Sequence, residues 1–162
     1  MKKKIIIGLS ILLGIISTSA ISLAVNNAVV EHNKKKVPSD YKIGVTYEKA
    51  LENNEQKPVL ALLYVDWCGY CLRFMPKYKE INSIYKNKYS VVMLNAEAPE
   101  NKEIVEDVKL TGFPTLYILD PKYNFKVLLN NAIYLDLPKL RTELDSYLNI
   151  RKQLDNCSKC EN

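Results

Sequence analysis

Two cysteines three positions apart close an apolar run: Trp67-Cys68-Gly69-Tyr70-Cys71 follows Val59-Leu60-Ala61-Leu62-Leu63-Tyr64-Val65 almost directly. At that spacing the two sulfurs can reach bonding distance with little strain. The apolar run reads as a strand buried on both faces, and a helix opens after it. Cys68 then falls at a helix N-terminus, where unpaired N–H groups and the positive end of the helix dipole favour an anionic sulfur. Cys68 is the candidate nucleophile. Cys71, one turn into the helix, is placed to attack a disulfide formed at Cys68. Gly69 permits close backbone approach, and Tyr70 offers an aromatic surface beside the sulfurs. A structural disulfide and half of a zinc site are the competing uses of such a pair.

The spacing recurs near the end of the chain, in Cys157-Ser158-Lys159-Cys160. This pair lies in a polar stretch, residues 151–162, read as a tail beyond the last helix. It could be an auxiliary redox pair that exchanges with Cys68 and Cys71, or a tail disulfide without a role. A zinc site built from all four cysteines would have 85 residues between its two halves, beyond ordinary zinc-ribbon spacing. No metal is therefore expected, and no cofactor other than a Cys68–Cys71 disulfide.

Other chemistries lack residues. His32 is the only histidine, and it sits in a polar stretch outside the folded body, so a histidine-based hydrolase is excluded. The five glycines form neither a G-x-G-x-x-G nor a P-loop pattern. The net charge is +5, but Lys2, Lys3 and Lys4 carry three of those charges, leaving 20 basic residues against 18 acidic ones. That balance gives no footing for nucleic acid.

The elements that must hold the cysteines can be read around them. Thr46 caps a short helix through Tyr47, Ala50 and Leu51. The helix after Cys68 runs to about Lys86, with Leu72, Met75, Tyr78, Ile81 and Tyr85 at helical spacing; Pro76 lies inside it and should kink it. Ser90 to Asn95 is a second strand, and Glu100 to Lys109 is helical. After the turn Thr111-Gly112-Phe113-Pro114-Thr115, Leu116 to Leu119 and Phe125 to Leu129 form two strands joined as a hairpin through Asp120 to Asn124. Leu137, Leu140, Leu144 and Tyr147 mark a last helix. The order α-β-α-β-α-β-β-α implies an α/β domain over 41–150: a mixed sheet flanked by helices.

Ahead of it, Lys2-Lys3-Lys4 precede 21 uncharged residues, Ile5 to Val25, with small residues at Ser17-Thr18-Ser19-Ala20. Residues 1–25 have the order of a signal peptide, and 5–25 are also long enough to anchor in a membrane at about 20 residues. Either places the body outside the cytoplasm, periplasmic or at the cell surface, where disulfides persist. Residues 26–40 read as a linker.

Four features in register resemble the thioredoxin family: Trp67-Cys68-x-x-Cys71 after an apolar strand, Pro76 five residues beyond the second cysteine, Gly112-Phe113-Pro114-Thr115, and the element order. The resemblance covers about Tyr41 to Leu148. It implies the thioredoxin fold and a thiol–disulfide oxidoreductase acting on protein thiols and disulfides, with a separate redox partner. It implies that Pro114 is cis and leaves the Phe113 backbone free to pair with substrate, with Trp67 shaping the contact surface. Two positions depart. Gly69-Tyr70 replaces the family's common Gly-Pro and matches the bacterial periplasmic disulfide isomerase. Leu62 stands where the family places a buried acid, so Asp66 or Glu97 would have to take its part. A reductase is the leading expectation, an oxidase or isomerase the alternative, and a non-enzymatic tethered binder or zinc module the alternative of another class.

Overall fold

The computed structural model describes residues 41–108 and 110–158; the leader, the linker and Cys160 lie outside the described residues. Helix α1 (Tyr47–Glu52) is capped by Thr46, whose hydroxyl accepts from the Lys49 amide. Strand β1 (Val59–Tyr64) leads into helix α2 (Gly69–Tyr85). Strand β2 (Ser90–Asn95) follows, then a 3₁₀ turn (Pro99–Asn101) running into helix α3 (Lys102–Asp107). Strands β3 (Thr115–Asp120) and β4 (Phe125–Leu129) come next, then helices α4 (Asn131–Tyr134) and α5 (Leu137–Ser158).

The strands form one mixed sheet in the order β2-β1-β3-β4, with β1 and β2 parallel and the remaining pairs antiparallel. A parallel pair needs a crossover, and α2 supplies it. Alternation along β1 sorts the core. Leu60 and Leu62 face one way, packing with Tyr78, Ile81 and Tyr85 of α2 and Leu140 and Leu144 of α5. Val59, Ala61 and Leu63 face the other way, toward Ala50 of α1 and Ile104 of α3. Both faces of β1 are covered, which is why its sequence is continuously apolar.

Register carries the fold's geometry to the cysteines. Leu63 pairs with Thr115, so the segment just before β3 lies beside the end of β1, where Cys68 opens α2. On the other flank Gly44 has a φ of +84° against β2. A Cβ there would overlap the Val91 carbonyl, which accepts from the Val45 amide at 2.9 Å; glycine is required on both counts.

One sequence expectation changes, and others gain detail. Helix α2 carries Pro76 in its interior, as the spacing predicts. The hairpin connection is a 3₁₀ turn (Pro121–Tyr123) ending on Asn124 with a φ of 54°, a left-handed position asparagine tolerates. Most importantly, residues 151–158 are not a tail: α5 continues to Ser158. Polar contacts hold this extension where no apolar stripe does. The Arg151 Nε donates to Asp120 Oδ2 at 2.8 Å, and its two Nη groups donate to the carbonyls of Gln56, Asn54 and Glu55. Lys122 and Tyr123 both reach Asp155.

Candidate active site

Cys68 is the N-cap of α2, with φ −80° and ψ 106°, and its Sγ accepts from the Cys71 amide at 3.2 Å. One of the orphan donors of the helix N-terminus is thus satisfied by sulfur. Opposite, the Cys68 thiol donates to the Phe113 carbonyl at 3.6 Å. The Phe113–Pro114 peptide is cis. The structure therefore brings Cys68, Cys71, Phe113 and Pro114 together from two segments more than forty residues apart. Both cysteines are free thiols, and Cys71 is fully buried.

Trp67 lies beside them with 60% of its surface exposed. Its indole N–H donates to Glu97 Oε1 at 2.8 Å, which fixes the ring as a surface flap. Tyr70 is 70% exposed. Gly69 has no atom near where a Cβ would be, so the space above it is open for an incoming chain.

Leu62 is fully buried, at the position where an acid would serve Cys71. Both suggested replacements have other partners. Glu97 is committed to Trp67, and Asp66 accepts from the Asn95 amide at 3.1 Å. Burial, with an added push from the Cys68 sulfur, drives the Cys71 thiol up to about 12. At pH 7 Cys71 is then held almost entirely as the thiol. Burial is the larger cause and persists once Cys68 is tied up in a mixed disulfide. The rate at which Cys71 displaces a thiol from Cys68 should therefore climb about tenfold per pH unit between about pH 6 and pH 9. Release of a chromophoric thiol preloaded on Cys68 measures it; a plateau near neutrality would reveal a base at Cys71 and contradict this account.

One residue escaped the sequence reading. Tyr134, on the short helix α4, is buried and donates its hydroxyl to the Pro114 carbonyl at 2.9 Å. Burial raises its pKa, and the sulfurs of Cys71 and Cys68 raise it further, so the phenol stays protonated and holds the Pro114 loop. The available signal was Asn130, whose side chain caps α4 by accepting from the Ile133 amide at 3.2 Å.

Cys157 occupies the last turn of α5, exposed. The helix begins beside the cysteine end, where Lys77 of α2 donates to the Leu135 carbonyl, and leaves it: Tyr147 meets Asp120 at the far end of β3, and Arg151 meets the loop before β1. From Leu140 to Cys157 the helix travels about 25 Å at ~1.5 Å per residue. Cys157 therefore lies toward the opposite end of the domain from Cys68. Among the described residues no group of three or more His, Cys, Asp or Glu side chains could hold a metal ion, and no helix is long and apolar enough to cross a membrane.

Comparison with known proteins agrees with this geometry. Residues 39–130, more than half of the chain, match the family model for thioredoxin. Protein disulfide isomerase-like 2-2 of Oryza sativa subsp. japonica is 37% identical over 71 residues, 44% of this chain and 19% of the relative. Protein disulfide-isomerase 1 of Dictyostelium discoideum is 33% identical over 94 residues, 56% of this chain and 26% of the relative. The chain thus spans about a quarter or less of these relatives' lengths. In fold it is similar to the first thioredoxin domain of mouse protein disulfide-isomerase A4, with a TM-score of 0.54 at 17% identity, covering 73% of this chain and 83% of that one.

Proposed function

Because the chain belongs to the thioredoxin family, we propose that it is a thiol–disulfide oxidoreductase that reduces protein disulfides outside the cytoplasm. The observation that carries this is Cys68 as helix N-cap, its sulfur receiving the Cys71 N–H and facing the cis Phe113–Pro114 bond. The Cys68 thiolate attacks one sulfur of a substrate disulfide. That S–S bond breaks, the departing sulfur takes up a proton, and a mixed disulfide joins Cys68 to substrate. Cys71 loses its proton and attacks Cys68 Sγ, releasing the second substrate thiol. Two electrons have passed to the substrate, and the Cys68–Cys71 disulfide must be reduced again by a dithiol partner. Sγ has one donor, the Cys71 amide, and one acceptor, the Phe113 carbonyl. A strongly oxidising pair needs its reduced form specially stabilised, and a single amide cap of about 1 kcal/mol shifts the potential by only about 20 mV.

The location rests on the leader, residues 1–25, as a signal peptide or, through 5–25, a membrane anchor, with 26–40 as linker. A second reading, disulfide isomerisation, is favoured by the high pKa of Cys71. A slow resolving thiol leaves the mixed disulfide in place long enough for the substrate's own thiols to rearrange it. The relatives named as disulfide isomerases support the same reading.

Equilibration of the purified protein in glutathione buffers, with catalysed insulin reduction alongside, tests the direction. A potential near about −270 mV with insulin reduction is the expected result. One near about −180 mV with activity on a scrambled substrate would establish the isomerase, and one near about −120 mV would overturn both in favour of an oxidase.

A further inference from the structure

Beside the cysteines, a groove of about 480 Å³ opens between α2, the Pro114 loop and α4. Tyr70, Arg73 and Lys77 of α2 form one wall, Phe113 and Pro114 the end toward the cysteines, and Leu135 the opposite lip. Its size falls in the ordinary range of binding pockets, about 300–1,000 Å³. Its apolar lining is mostly aromatic, and its charge is of one sign.

The two cations are presented differently. The Arg73 guanidinium lies over the Tyr70 ring, 4.4 Å from its centroid. A guanidinium stacked this way is held in plane, with its N–H edge left for a bidentate acceptor. Lys77 donates to the Leu135 carbonyl and so is drawn across the groove. No carboxylate lines the groove. The acid that acts on Lys77 from outside it is Asp136, which is engaged at the start of α5: it accepts from the Lys139 amide at 3.2 Å and pairs with Lys139 Nζ at 3.4 Å. On the Trp67 side of the cysteines stands an acid, Glu97, which accepts the indole N–H. An extended chain crossing the cysteines therefore meets cations on the groove side and a carboxylate beside Trp67.

We propose that the Tyr70–Arg73–Lys77 groove selects substrates in which an aromatic residue and an adjacent aspartate or glutamate flank the cysteine under attack. This rests on the thiol–disulfide exchange reading above and adds to it the class of substrate. The ring packs among Tyr70, Phe113 and Leu135, the carboxylate meets Arg73 and Lys77, and a basic segment in the same place is repelled.

Two disulfide peptides test it, identical except for Phe-Glu or Phe-Lys beside the target cysteine. A small neutral dialkyl disulfide serves as a third substrate, with dithiothreitol as reductant. The acidic peptide should be turned over about tenfold faster than the basic one in kcat/KM, as two exposed charge contacts allow. The ratio should shrink toward one in about 0.5 M salt. Arg73→Glu with Lys77→Glu should invert it. Arg73→Ala and Lys77→Ala, tested singly, should each reduce it about threefold, which keeps the test open if the double variant folds poorly. Equal rates on the two peptides alongside turnover of the small disulfide would overturn the groove's role and leave the exchange chemistry standing. A preference that survives charge reversal would also overturn it. Failure on the small disulfide as well would overturn the exchange reading and the groove with it.

Discussion

Cys68→Ser lowers catalysed insulin reduction by roughly three orders of magnitude or more, to the rate of the reductant alone. The size of the effect follows from the role: the attacking sulfur forms the covalent intermediate, and without it Cys71 has nothing to resolve. The substitution separates chemistry from architecture unusually well. Serine is a better N-cap than most residues, and its Oγ can accept the Cys71 amide as Sγ does at 3.2 Å. Helix α2 should therefore stay intact, and urea unfolding of the variant should match the parent within about 0.5 kcal/mol. The companion variant Cys71→Ala keeps the nucleophile and loses the resolver, so substrate should accumulate on Cys68 as a mixed disulfide stable to electrophoresis without reductant. Insulin reduction that survives Cys68→Ser would sink the assignment of the whole site.

The second large effect lies at the other pole and on stability. Arg151→Ala should cost about 3–5 kcal/mol in urea unfolding, the range for stripping one partner from a buried ion pair. Asp120 is fully buried, and its Oδ1 has no hydrogen-bond partner among the described residues. What holds the carboxylate is Oδ2, met by Arg151 Nε at 2.8 Å and the Tyr147 hydroxyl at 3.0 Å. Removing the guanidinium leaves that charge with one neutral donor and also strands the carbonyls of Asn54, Glu55 and Gln56. Replacing both partners with apolar residues, Asp120→Leu with Arg151→Met, should recover most of the loss. A single-variant cost below about 1 kcal/mol would show that water satisfies this pair and that the extension of α5 is not held by it.

The strands were legible because each is a short apolar run bounded by turn residues, and Cys68, Cys71 and the Phe113–Pro114 segment were legible because their types and order are distinctive. What escaped did so for physical reasons. The end of α5 has no apolar stripe after Tyr147; its anchors are a buried arginine and an aspartate whose partners lie thirty to a hundred residues away. Tyr134 sits in a helix of four residues, too short for any periodicity to show. Arg73 and Lys77 fall between the apolar positions of α2, and nothing in their spacing shows that the fold sets Phe113 and Leu135 along the same groove.

That Cys68 is at once nucleophile and N-cap ties the start of a helix to an electrode potential. The Cys71 amide bonds to a sulfur whose electron density falls when it enters a disulfide, so the cap is worth more in the reduced protein than in the oxidised one. By linkage, every 1 kcal/mol of that difference makes the pair about 20 mV more oxidising. A full cap is worth about 1 kcal/mol, so residues that only adjust how α2 begins, Gly69 and Tyr70 among them, can retune the potential without touching either sulfur.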